Sequence, residues 1–328
     1  MNKNYKNIIS VAPMMDWTDR HCRYFHRLLS PNAYLYTEMV TTGALIHGDK
    51  DRFLRFDESE KPLALQLGGN DPSALTQCAK MAENYGYDEV NLNCGCPSDR
   101  VQSGAFGACL MREADLVAEC INAMIKAVNI PITVKCRIGI DDSEEFVFLN
   151  DFISKIKDIG CDTFIIHARK AWLKGLSPKE NREVPPLRYD IVQELKDKYP
   201  NLNIILNGGI KSVEETQKHL KNFDGVMIGR EAYSNPMVLV ALEKTFFNSE
   251  YEIDYQNIIL KMADYADKQA KAYGTPLKSI TRHMTGLFQG QQGARKWRQK
   301  LSDIPKIDGA NGKTLIDIYS AIKVLQHS

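Results

Sequence analysis

The chain has 328 residues, 44% apolar and 25% charged, with a formal net charge of +1. Those values fit a soluble globular protein larger than one ordinary domain, so a large catalytic body with a smaller appendage is the first expectation. No apolar run reaches membrane-spanning length and Met1 to Ser10 lack the apolar core of a signal peptide, so neither a membrane protein nor a secreted one is expected.

Short apolar runs rich in β-branched residues and bounded by turn signals predict strands at 8–14, 34–40, 62–67, 88–93, 132–138, 163–168, 203–206 and 225–228. Helix-like stretches fill most of the gaps, at 72–85, 113–128, 143–159, 191–198 and 213–220. Eight strands, each followed by a connection long enough for a helix, predict an α/β fold of the (β/α)8 TIM-barrel type. Near-continuous apolar strands such as Thr163-Phe-Ile-Ile suit parallel strands buried on both faces.

Catalytic groups of this fold sit at the C-terminal strand ends. Here those ends carry Pro13-Met14-Met15-Asp16, Glu38-Met39, Gln66 before Gly68-Gly69, Asn91 and Asn93, Lys135 and Arg137, His167 and Arg169, Asn207-Gly208-Gly209, and Gly229-Arg230. Each end offers a hydrogen-bonding group or a glycine that admits close backbone approach. Asn207-Gly208-Gly209 and Gly229-Arg230 follow strands seven and eight, the usual phosphate corner of the fold, where exposed backbone N–H groups and an arginine fork suit an anion. Lys135 and His167 fit a mouth that stabilises an anionic ring. A Schiff-base lysine, a snorkelling lysine and a hydrogen-bonded core histidine are the competing readings.

After strand four, Asn91-Leu-Asn-Cys-Gly-Cys96 leads into a loop, 101–111, that holds Gly104, Ala105, Gly107 and Ala108. A thiol on a small-residue segment able to close over a ligand is placed as a proton donor or nucleophile, although a lone cysteine in a turn is often only structural. Alternation along an extended segment would put Cys94 and Cys96 on one side. The other cysteines, Cys22, Cys78, Cys109, Cys120, Cys136 and Cys161, form no CxxC, so reduced thiols in a cytoplasmic enzyme are expected. No second pair completes a zinc site around Cys94 and Cys96, and no metal is expected.

Charge is uneven. Residues 255–328 carry 12 Lys/Arg and 5 Asp/Glu, against 30 and 36 in the remainder. A basic C-terminal segment suggests a polyanionic partner, though a solvated basic helix surface carries the same charge. Leu315, Ile318, Tyr319, Ile322 and Leu325 have helical spacing, as do Ile258, Met262, Tyr265 and Gln269, which predicts a small helical bundle. Arg295 and Arg298 fall on one helix face, with Lys296 and Lys300 on a neighbouring stripe.

The motifs Ala12-Pro-Met-Met-Asp-Trp-Thr-Asp-Arg20, Leu65-Gln-Leu-Gly-Gly69, Asn91 through Gly107 and Val134-Lys-Cys-Arg-Ile138 resemble the tRNA-dihydrouridine synthases, specifically their A subfamily. The resemblance continues through His167-Ala-Arg-Lys-Ala-Trp-Leu173, Ser177-Pro-Lys-Glu-Asn-Arg182, Asn207-Gly-Gly-Ile210, Gly229-Arg-Glu-Ala232, Arg282 to Gly290 and Gly293 to Arg298. It implies residues 1–250 as an FMN-binding barrel and 251–328 as a helical tRNA-binding domain. By the same resemblance Pro13, Met14 and Met15 contact the flavin ring, Gln66 bonds its edge, and Lys135 and His167 lie at its pyrimidine side or ribityl chain. Asn207, Gly208, Gly209, Gly229 and Arg230 hold the phosphate. Cys96 is the general acid, an ordinary thiol being mostly protonated at neutral pH. The family has an aliphatic residue where this chain has Cys94.

The implied reaction reduces the C5=C6 bond of D-loop uridines in tRNA, in the position 20 region, with NADPH as reductant. No separate Gly-x-Gly-x-x-Gly site is present, in agreement with direct reduction of the flavin. Asn93 positions the base, Lys179 and Arg182 join Arg295 and Arg298 in holding the RNA, and a monomer is expected. A target uridine has to leave its stack to reach the barrel. Three rivals differ in class: an FMN barrel acting on a free pyrimidine, a Lys135 Schiff-base aldolase, and an RNA-binding protein with a vestigial flavin.

Overall fold

The computed structural model describes residues 8–98 and 104–326, with side chains to 322. The expected loop residues 101–103, the adjoining Asp99 and Arg100, the segment before Ile8 and the Leu325 side chain lie outside the described residues.

Eight parallel strands form one sheet: β1 (Ile8–Val11), β2 (Leu35–Thr41), β3 (Leu63–Gly68), β4 (Glu89–Cys94), β5 (Ile132–Arg137), β6 (Thr163–His167), β7 (Asn203–Asn207) and β8 (Gly225–Ile228). Each strand from β2 to β8 pairs with its sequence neighbour, and β1 pairs with β8. The circle closes where Tyr34 donates to the Ile9 carbonyl and accepts from the Val11 N–H, both at 2.9 Å. This is a (β/α)8 barrel, with strands at all eight expected places. β1 stops at Val11, short of the expected residue 14, because Pro13 has no N–H for a ladder.

Helices Pro72–Tyr85, Ala114–Ile125, Glu145–Asp158, Tyr189–Lys198 and Val213–His219 fall within the expected gaps. Asp71 caps the first of these by accepting from the Ala74 N–H at 2.7 Å, and Pro72 opens it where a missing N–H costs nothing. The outward strand residues Leu65, Val90, Leu92, Val134, Phe164, Ile166, Ile204 and Leu206 are fully buried. Inside the barrel lie Ile8, Ala12, Tyr34, Tyr36, Ala64, Ile165, Ile205 and Met227.

Contacts divide the chain into Met1–Met15 with Tyr34–Gly229, and Asp16–Ala33 with Arg230–Ser328. The boundary drawn from the sequence at 250/251 therefore falls inside the second unit, which also takes in the helix Arg20–Leu29. The reason is a polar knot 263 residues across: Asp19, which caps that helix, accepts from Arg282 at 2.7 Å and pairs with the buried His283 at 3.1 Å. The helices Tyr255–Tyr273 and Gly312–Gln326 bury Ile258, Met262, Tyr265, Leu315, Ile318, Tyr319 and Ile322, as their spacing predicts, while Gln269, expected on the same stripe, is only half-buried. Trp297 anchors the helix Ala294–Asp303 by donating to the Met284 carbonyl at 2.8 Å and packing edge-on against Phe288.

Candidate active site

Lys135 on β5 reaches past β6 to donate to the Asn207 side-chain oxygen on β7 at 3.1 Å, which only an inward-pointing side chain can do. Asn207 in turn donates to the Met227 carbonyl at 2.8 Å, so its amide braces Lys135 at the mouth. Strand register puts Asn93 beside Lys135, Arg137 beside His167, and His167 beside Asn207. Four consecutive strands thus deliver their polar ends to one place.

The electrostatics of that place are one-sided. Burial, then the nearby Arg137, pulls the Lys135 ammonium down to about 8. Burial together with Arg137, Lys135, Arg169 and Arg182 holds the His167 imidazole neutral, well below its ordinary value. The main charges acting on these two groups are cations and thiols, with no carboxylate among them. Such a cluster is unfavourable by itself and favourable around an anion. For Lys135 the unfolded chain binds more protons between pH 8 and the ordinary lysine value, so this group's penalty is complete below pH 8 and fades as pH rises. Lys135→Met should therefore stabilise the ligand-free chain at pH 7, with an advantage over wild type that shrinks toward pH 10. Urea midpoints at both pH values read the difference, and an advantage that is absent or independent of pH would contradict the assignment.

Cys96 lies just beyond β4, half-buried, close enough to Lys135 and Arg137 to act on both. The turn that carries it is fixed on two sides. Asn93 accepts from the N–H groups of Gly95 at 3.1 Å and Cys96 at 3.0 Å. Arg137, almost fully buried, donates to the Gly95 carbonyl at 2.9 Å and to the carbonyls of Lys170 and Asn181 at 2.8 and 3.0 Å. Cys94 behaves differently from the expectation of a shared side. It ends β4 opposite Cys136, fully buried, with its thiol pushed well above the ordinary value by burial. Alternation fails at this point because the strand ends at Cys94 and the Asn93 turn redirects the chain.

The loop expected to move is partly packed. Gly107–Arg112 forms a 3-10 helix with Gly107, Ala108, Leu110 and Met111 buried, and the Ala108 N–H donates to the Cys96 carbonyl at 2.9 Å.

Three observations test whether the mouth fits a phosphorylated, anionic ring. His167 Nδ1 is buried with no hydrogen-bond partner among the described residues. Gly208 and Gly209 have φ of +114° and +75°, and a Cβ on Gly208 would meet the His167 ring at 3.0 Å, so the backbone is held open as only glycine allows. Met15 remains 54% exposed beside half-buried Pro13 and Met14, an apolar ledge at the end of β1. Together they supply a hydrophobic face, donors for an anion and a cationic surround. The fit is good.

A sequence profile described as Dihydrouridine synthase (Dus) matches residues 10–323. The chain belongs to the dihydrouridine synthase family. It is 57% identical over 321 residues to the tRNA-dihydrouridine(20/20a) synthase of Escherichia coli (strain K12), covering 97% of this chain and 90% of that one. It is 54% identical over 323 residues to the tRNA-dihydrouridine(20/20a) synthase of Shewanella oneidensis, covering 98% and 96%. A solved 2-naphthoyl-CoA reductase complex superposes with a TM-score of 0.54 at 12% identity, over 73% of this chain and 49% of that one, a likeness of fold.

Among the other residues expected in a dihydrouridine synthase site, Gln66 is 1% exposed and bonded to Asn91 and Asn93 rather than open at the mouth. Gly229 is half-buried with space around it, and Arg230 is exposed at the start of a helix in the second unit. Lys179 and Arg182 are exposed at the turn Glu180–Arg182, after β6. Arg295, Lys296, Arg298 and Lys300 are exposed on the helix Ala294–Asp303, whose other face buries Trp297 and Leu301.

Sequence reading passed over Asn181, Thr133 and Glu89. Asn181 is fully buried and ties its loop through Trp172 N at 2.7 Å and Trp172 O at 2.9 Å, while its carbonyl receives Arg137. Its signal was an asparagine inside a charged run, too weak to separate from surface polarity. Arg137 was visible at a strand end, but nothing in the sequence showed that its partners are carbonyls.

Proposed function

We propose that this dihydrouridine synthase reduces uridines 20 and 20a of tRNA, the positions in its relatives' names, using FMN and NADPH. The observation that carries the reading is the juxtaposition of the Cys96 turn, held by Asn93 and Arg137, with Lys135, Arg137 and His167 at neighbouring strand ends. Bound FMN supplies the hydride that adds to C6 of uracil. Negative charge then develops at C5 and O4 of the substrate, and Cys96 gives its proton to C5. Lys135 and His167 face the anionic part of the cofactor, the backbone of Gly208, Gly209 and Gly229 takes its phosphate with Arg230, and Pro13, Met14 and Met15 cover its ring. Gln66 and Asn207 serve by holding Asn93 and Lys135 in place, with Asn93 positioning the base. Reduced thiols and an RNA substrate agree with a cytoplasmic setting.

Dihydrouridine mapping in tRNA from a strain lacking this protein tests the reading. The modification should vanish at positions 20 and 20a, return with the wild-type gene, and stay absent with Cys96→Ala. Unchanged modification in the deletion strain would end it.

The uridine has to be turned out of its stack, which calls for a grip on the RNA backbone. We assign that grip to Arg295 and Arg298, with Lys179 and Arg182 contributing from the barrel. Replacing Arg295 and Arg298 by alanine should weaken tRNA binding and reduce the slope of log affinity against log salt by about 1–2. A slope and affinity equal to wild type would remove this helix face from the assignment.

A further inference from the structure

A one-way chain of hydrogen bonds runs through the barrel interior to the Cys96 turn. Tyr36 Oη and Thr133 Oγ1 both donate to Glu89 Oε1, at 2.8 and 2.7 Å. Asn91 Nδ2 donates to Thr133 Oγ1 at 2.8 Å, and Gln66 Nε2 donates to Asn91 Oδ1 at 2.8 Å. Asn93 Nδ2 donates to Gln66 Oε1 at 2.9 Å, and Asn93 Oδ1 takes the two backbone N–H groups of the turn. All six side chains are buried.

The direction of the chain is imposed from both ends. Backbone N–H groups at Gly95 and Cys96 can only donate, so Asn93 must turn its oxygen to them and its nitrogen inward. Gln66 must then offer Oε1 to Asn93 and Nε2 to Asn91. At the other end, Thr133 has a single hydroxyl proton and spends it on Glu89, so its oxygen can only accept from Asn91. The two deductions meet at Asn91 without conflict. Amide orientation is ordinarily ambiguous, yet here each flip would set two donors or two acceptors face to face.

We propose that Glu89 and Thr133 are remote positioning residues: they fix the amide order of Asn91, Gln66 and Asn93 and so hold the turn that presents Cys96. This rests on the reading of Cys96 as the proton donor. It adds that the donor's placement is set at the barrel interior, by a carboxylate and a hydroxyl that touch neither substrate nor cofactor.

Thr133→Val keeps the shape and removes the link, while Thr133→Ser restores the oxygen. On the purified full-length chain as isolated, Thr133→Val should speed amide hydrogen exchange at Gly95 and Cys96 by about tenfold or more, the loss of one buried bond. It should change the Cys96 alkylation rate, followed by peptide mass spectrometry, and slow dihydrouridine formation while NADPH oxidation stays within about twofold. Thr133→Ser should return all three toward wild type. A purely structural role would lower the unfolding midpoint in both variants and leave exchange at 95–96 no different from neighbouring amides. A folded Thr133→Val with wild-type exchange and alkylation overturns the proposal. If Thr133→Val does not fold, exchange in the unaltered chain decides: Gly95 and Cys96 amides as fast as an open loop overturn it, and protection supports it. Retained turnover in Cys96→Ala would instead defeat the proton-donor reading and leave the exchange result standing.

Discussion

Replacing Cys96 by alanine is expected to abolish dihydrouridine formation while leaving NADPH oxidation coupled to oxygen intact. A positioned general acid contributes about 10²–10⁴-fold, which sets the size of the loss. The two readouts separate because the hydrogen bonds that hold Lys135 and Arg137 run to Asn207 and to backbone carbonyls, not through the Cys96 side chain. Lys135 stays braced by Asn207 at 3.1 Å and the glycines at 208 and 209 keep their open backbone. Cys94 is not expected to substitute. It is fully buried and its thiol is pushed well above the ordinary range. Cys94→Val should therefore retain most activity, and a tRNA assay on both variants checks the pair. Wild-type turnover in Cys96→Ala would overturn the acid assignment.

Arg137→Met should produce the largest loss of stability. One guanidinium serves three carbonyls on two loops, those of Gly95, Lys170 and Asn181. Removing it leaves buried acceptors without a donor, each worth about 1–3 kcal/mol. Relief of repulsion from Arg169 and Arg182, which with burial lowers Arg137 to about 10, offsets part of this. The net expectation is a loss of about 2–4 kcal/mol. Arg137→Lys should recover little, since an ammonium is a compact point charge and cannot span three carbonyls as a planar fork does. Urea unfolding of the ligand-free chain measures both. A change below about 0.5 kcal/mol, the scale of an ordinary surface substitution, would mean that the brace does not form.

Much of the architecture could be read without coordinates. The eight strands are short apolar runs whose continuity reports burial on both faces, and three of the five helices named between them carry their own side-chain caps, Asp71, Glu144 and Ser212. Periodicity also picked out Leu315, Ile318, Tyr319 and Ile322 as the buried side chains of the helix Gly312–Gln326 among those described. The side of the barrel on which each thiol lies was not readable. That depends on where β4 stops, and the Asn93 side chain ends the alternation by capturing two N–H groups. The extent of the second unit was equally hidden, because Asp19 finds Arg282 and His283 across more than 260 residues.

The sequence by itself determined the order of strands, the polar and glycine-rich character of their C-terminal ends, and the presence of a thiol beside them. These are local properties, set by a residue and its immediate neighbours. Only the tertiary structure decided what those polar groups are bonded to: Asn207 to Lys135, Gln66 to two asparagines, Arg137 to three carbonyls. All of these partners lie 25 to 72 positions away in the chain, and a buried polar group takes whichever complementary atom the closed barrel brings within about 3 Å.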